Sequence, residues 1–140
     1  MSRIKICGLR RPEDIAAVNE ARPDYCGFIV EYPKSRRSID RTTLRELVRG
    51  LREKIIPVGV FVNAPKELVA ELLEEGTIQI AQLHGQESQE YIQELKVLTE
   101  KPLIQAFSIK SKEDVERARE SVADYILLDQ GSGGTGKVFD

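Results

Sequence analysis

Two segments of this 140-residue chain close on groups that can move protons. Lys5-Ile6-Cys7-Gly8 ends a short β-rich run on a thiol, and Leu127-Leu128-Asp129 ends another on a carboxylate. A thiol becomes a base or nucleophile when a cation or helix N-terminus lies close; the competing reading of Cys7 is a small buried hydrophobe. Gly8, directly after it, allows backbone and ligand to approach closely. Asp129 can act as a general acid where its surroundings favour the protonated form. It is followed by Gln130-Gly131-Ser132-Gly133-Gly134-Thr135-Gly136-Lys137, a glycine-rich stretch of the kind that closes over a ligand or offers it backbone N–H groups. The spacing from Gly131 to Lys137 imitates a nucleotide phosphate loop, but Val138 stands where that loop needs a hydroxyl for Mg²⁺, which argues against nucleotide binding.

Two further segments are candidates for holding a ligand. Pro33-Lys34-Ser35-Arg36-Arg37-Ser38 is a basic loop, and arginine suits bidentate recognition of a carboxylate or phosphate; a merely solvated loop is the alternative. Gln82-Leu83-His84-Gly85 puts an imidazole at the end of an apolar run. With no second histidine in the chain a metal site is poorly supported, and His84 reads as pocket-lining at most. Cys26, inside Tyr25-Cys26-Gly27-Phe28-Ile29-Val30, reads as structural.

The elements that must position these residues alternate along the whole chain. Short apolar runs predict strands over 3–7, 25–30, 57–62, 78–83, 103–107 and 125–129. Apolar residues at three- and four-residue spacing, such as Leu44, Leu47, Val48 and Leu51, predict helices over 12–21, 41–52, 65–75, 88–98 and 112–121. Asp40, Asn63, Ser88 and Ser111 are candidate N-caps, Pro12 and Pro65 suit a first helical turn, and Gly76 suits a helix end. Strand, helix and strand in one sheet imply a right-handed parallel crossover with helices outside. An open doubly wound sheet and a closed barrel both use this repeat. The first βα turn has a single glycine, whereas polar residues recur at successive strand ends, namely Cys7, Glu31, Asn63, His84, Ser108 and Asp129. That favours an α/β (β/α)8 barrel, in which all strand ends meet at one mouth.

Composition agrees with a single α/β domain over 1–140: 41% hydrophobic and 31% charged residues, no Trp, and a net charge of -2 with both signs interspersed. No basic face for nucleic acid is implied, and no stretch approaches the ~20 apolar residues of a membrane span. The N-terminus alternates charged and apolar residues, unlike a secretory signal, so the chain is expected in the cytoplasm with Cys7 and Cys26 reduced.

Taken in order, Lys5-Ile6-Cys7-Gly8-Leu9, Arg11-Pro12-Glu13-Asp14, Gly27-Phe28, Pro33-Lys34-Ser35 with Arg37, Val58-Gly59-Val60-Phe61-Val62-Asn63, Gln82-Leu83-His84-Gly85, Leu127-Leu128-Asp129 and Gly133-Gly134-Thr135-Gly136-Lys137 with Phe139-Asp140 resemble the phosphoribosylanthranilate isomerase family of tryptophan biosynthesis. The resemblance implies a cofactor-free Amadori rearrangement of a sugar-phosphate substrate, N-(5-phosphoribosyl)anthranilate. It implies Cys7 as general base and Asp129 as general acid. It also implies Arg37, rather than Arg36, on the anthranilate carboxylate, and Gln82, His84, Gly133, Gly134, Thr135 and Gly136 bordering the substrate.

In that family two more βα units follow, and their loops hold the substrate phosphate. The resemblance here covers about the first six units, which sets three expectations. The 140-residue chain alone is expected to be inactive or nearly so. The open barrel edges invite a second copy or a completing fragment. Glu31, where the family more often has an apolar or aromatic residue, would disturb Cys7 if the two were close. Two other functions compete: a non-catalytic barrel remnant that dimerises or swaps strands, and a different sugar-phosphate barrel such as a related tryptophan-pathway or histidine-pathway isomerase. The histidine-pathway enzyme uses a pair of aspartates, against which Cys7 argues.

Overall fold

The computed structural model describes residues 3–129 and 138–139. Its elements run β1 (Lys5–Cys7), α1 (Pro12–Ala21), β2 (Tyr25–Val30), β3 (Ser38–Ile39), α2 (Arg41–Arg49), β4 (Ile56–Phe61), α3 (Lys66–Glu74), β5 (Ile80–Leu83), α4 (Gln89–Leu98), β6 (Leu103–Ser108), α5 (Lys112–Arg119), β7 (Tyr125–Asp129) and β8 (Val138–Phe139). The six expected strands and five expected helices are all present. The two short strands are additions: β3 pairs parallel with β2 and β8 pairs antiparallel with β7.

Local chemistry fixes the helix starts. Pro12 opens α1, where the Asp14 carboxylate accepts the N–H groups of Arg10 and Arg11, each at 3.1 Å. Asp40 accepts the Thr43 N–H at 2.8 Å and Ser88 accepts the Tyr91 N–H at 3.0 Å. At α5 the Asp114 carboxylate accepts the N–H groups of Lys110 at 2.8 Å and Ser111 at 3.2 Å. Asn63 does not cap α3; Pro65 does. The residue before a proline is held extended, so no helix can begin before Pro65, and Asn63 instead turns the chain with φ +52°. Gly76 follows the end of α3 with φ +85°, the left-handed conformation expected of it.

The sheet runs β1-β2-β4-β5-β6-β7-β8, parallel as far as β7, and forms part of a barrel with helices on its outer face. Outward residues Cys26, Phe28, Val30, Phe61, Ala81, Leu83 and Leu103 are buried against Leu44, Leu47, Leu68, Leu72, Leu73, Ile92 and Leu95 of the helices. Each large apolar side chain so buried contributes roughly 1.5–3 kcal/mol. The opposite face carries Cys7 in register with Gly27, Val58 and Ile80. Among the described residues β1 has β2 as its one strand neighbour, and no helix is long and apolar enough to cross a membrane.

Candidate active site

Cys7 is a free, exposed thiol at the end of β1. The side-chain alternation of a strand sends Lys5 to the same face and Ile6 to the helix side. Gly27, paired with Cys7 on β2, makes room for both: a Cβ there would stand 2.7 Å from Cys7 Sγ and 3.1 Å from Lys5 Cε. Glycine in a strand interior usually marks such a close approach.

Lys5 reaches across the inner face. Its Nζ donates to Oε1 of the buried Gln82 on β5, three strands away, and Gln82 Nε2 lies 3.2 Å from His84 Nδ1. Lys5 is an exposed residue, yet protein surrounds its ammonium closely enough that burial lowers its pKa, with Cys7 pulling the other way. Gln82 and His84, expected to border the substrate, are therefore joined to the Cys7 strand by one polar chain.

Arg37 comes to the same strand end through Gly8, which has φ +87° and whose Cβ would stand 2.7 Å from Arg37 Cδ. The loop is shaped by hydroxyls: Tyr32 N–H donates to Ser38 Oγ at 2.7 Å and Arg37 N–H to Ser35 Oγ at 3.2 Å. Of Arg36, the backbone carbonyl accepts from Arg10 Nη1 at 3.2 Å. Glu31 turns the chain with φ +48° and its carboxylate takes the Arg41 N–H at 3.2 Å and Arg41 Nε at 2.9 Å. It is thus paired with Arg41 at the start of α2.

The loop after β5 is stitched to the loop after β4. Buried Glu87 accepts the N–H groups of Asn63 at 2.7 Å and Gly85 at 2.9 Å, and Asn63 Oδ1 accepts the Gln86 N–H at 2.9 Å. These bonds fix the backbone that carries His84. Beside it opens a cleft of about 640 Å³ lined by His84, Gly85, Ala106, Ser108 and Arg117. Asp129 pairs in register with Ser108, at the end of the sheet where Cys7, Asn63 and His84 also lie. Gly133, Gly134, Thr135 and Gly136 lie outside the described residues.

Sequence reasoning passed over Lys5 and treated Gly27 only as part of a motif. The signals were there: a lysine two residues before the cysteine on one strand, and a glycine inside an otherwise bulky strand.

Residues 4–140 match the family model described as N-(5'phosphoribosyl)anthranilate (PRA) isomerase. N-(5'-phosphoribosyl)anthranilate isomerase of Acetivibrio thermocellus is 44% identical, over 100% of this chain and 68% of that protein. The crystal structure of phosphoribosyl anthranilate isomerase from Thermotoga maritima is similar at a TM-score of 0.83 and 36% identity, covering 100% of this chain and 68% of that one. A structure of phosphoribosyl anthranilate isomerase with reduced 1-(o-carboxyphenylamino)-1-deoxyribulose 5-phosphate matches at a TM-score of 0.80 and 34% identity, covering 93% of this chain and 66% of that chain. A non-catalytic barrel remnant or strand-swapped oligomer is not favoured by these matches. The chain belongs to the phosphoribosylanthranilate isomerase family.

Proposed function

We propose that this chain carries the acid–base machinery for the Amadori rearrangement of N-(5-phosphoribosyl)anthranilate in tryptophan biosynthesis, with Cys7 as general base and Asp129 as general acid. Protonated Asp129 donates to the furanose ring oxygen; the ring C–O bond breaks and the aldose opens to a Schiff base. The Cys7 thiolate then removes the C2′ proton, the electron pair moves toward the imine, and the resulting enolamine tautomerises to the ketone. Oxidation at C2′ balances reduction at C1′, so the rearrangement needs no external oxidant or reductant.

The observation that carries this reading is the convergence on one strand end of an exposed thiol, a lysine ammonium and an arginine, each given space by a glycine. Acid and base on opposite sides of one sugar suit strands far apart in a barrel. Arg37 is the proposed clamp on the anthranilate carboxylate, where its planar fork matches two oxygens. The product-like ligand held by the relative in complex has a carboxyphenylamino group and a sugar phosphate, the two ends such a site must recognise. Gln82 and His84 are proposed to line the sugar, and Gly133, Gly134, Thr135 and Gly136 to border it.

The test is turnover of N-(5-phosphoribosyl)anthranilate by the chain together with a polypeptide carrying the last third of a relative, followed through the change in anthranilate fluorescence, with the aminoimidazole substrate of the histidine-pathway isomerase as comparison. Conversion of the first and not the second is expected. Preference for the histidine-pathway substrate would overturn the assignment.

A further inference from the structure

We propose that Lys5 is the charge partner of the Cys7 thiolate and a positioning residue for proton abstraction, held in place across the sheet by Gln82. The inference rests on the reading of Cys7 as a base, and three observations carry it. Lys5 and Cys7 project from one face of β1 and crowd the same point above Gly27, at 3.1 and 2.7 Å from where a Cβ would stand. The Lys5 ammonium is tethered rather than free, since its Nζ donates to Gln82 Oε1 on β5. Gln82 is itself buried and steadied by His84 Nδ1 at 3.2 Å, so the acceptor cannot swing away without breaking a second contact.

The chemistry gives this arrangement a use. A base that takes a carbon-bound proton must begin as the anion, and a thiolate is far more reactive than a thiol. An ammonium held nearby and partly shielded from water by the surrounding protein stabilises that anion more strongly than one in bulk water. Burial acts on the same ammonium in the opposite direction and lowers its pKa, and Cys7 offsets part of that effect. Among the described residues, Arg37 above Gly8, committed to substrate in the proposed site, and Cys26, buried on the far face of β2, also lie near Cys7. His84 reaches this region only through Gln82.

Alkylation of Cys7 by iodoacetamide at fixed neutral pH, read by mass spectrometry, tests this without substrate and so fails independently of the isomerase assignment. Lys5→Gln keeps a donor for Gln82 and removes the charge; it is expected to slow alkylation about tenfold. Lys5→Arg keeps the charge and is expected to stay within about threefold of the parent rate. An unchanged rate in Lys5→Gln, or equal slowing in both variants with circular dichroism unchanged, overturns the proposal. Gln82→Leu leaves Lys5 charged but untethered and carries the test even if Lys5→Gln does not fold. Slower alkylation of Cys7 in that variant supports the tether, and a parent-like rate overturns it.

Discussion

Cys7 and Gly27 face each other across β1 and β2 so closely that a side chain at position 27 would force the thiol to move: a Cβ would stand 2.7 Å from its sulfur. The φ of Gly27 is not in the left-handed region, so alanine there is strained by crowding alone. With the last third of a relative supplied, Gly27→Ala is expected to displace Cys7 and lower turnover about 10- to 100-fold, the scale of effect that small misplacements of a reacting group produce. The stability cost, read from thermal unfolding, is expected to be about 1–3 kcal/mol. Full activity in Gly27→Ala would show that Cys7 does not need its observed position.

Arg37 and Arg36 are adjacent, and only Arg37 is packed over Gly8 beside the Cys7 strand end. Losing a charge-assisted contact to a carboxylate costs about 1.5–3 kcal/mol, so Arg37→Ala is expected to raise KM roughly 10- to 100-fold with a smaller effect on kcat. Steady-state kinetics of Arg36→Ala are expected to match the parent. The reverse pattern would move the carboxylate clamp to Arg36.

Cys26 is buried, and burial together with the Cys7 charge pushes its thiol up to about 12 from an ordinary 9.0. Its pKa is higher folded than unfolded, so the neutral thiol's contribution is complete below pH 9 and declines as pH rises towards 12. Between those limits the urea midpoint is expected to fall more steeply for the parent than for Cys26→Ala. At neutral pH, native alkylation is expected to mark Cys7 and spare Cys26. Parallel pH curves, or rapid native labelling of Cys26, would contradict its placement in the core.

Much of the scaffold was legible because it rests on local rules. Leu44 and Leu47 announce the buried stripe of α2, and Asp40 and Ser88 announce helix starts that the structure confirms with capping bonds. Asn63 was misread because its type suits a cap while the proline two residues on decides where the helix can start. The site divides differently. Cys7 stood out by type, and Arg37 could be preferred over Arg36 only by resemblance. The Lys5–Gln82 contact joins residues on strands that meet only when the sheet curls, and no local pattern encodes it. Glu31 likewise could not be placed until its Arg41 partner was known.

The most direct test of the central claim is turnover of N-(5-phosphoribosyl)anthranilate by this chain together with a polypeptide carrying the last third of a relative, comparing the parent with Cys7→Ala and Asp129→Asn. General acid–base groups contribute about 10²–10⁴-fold, so each substitution is expected to lower kcat by at least 10²-fold while substrate still binds. A kcat within about threefold of the parent in either variant would contradict the assignment of base and acid to these two residues.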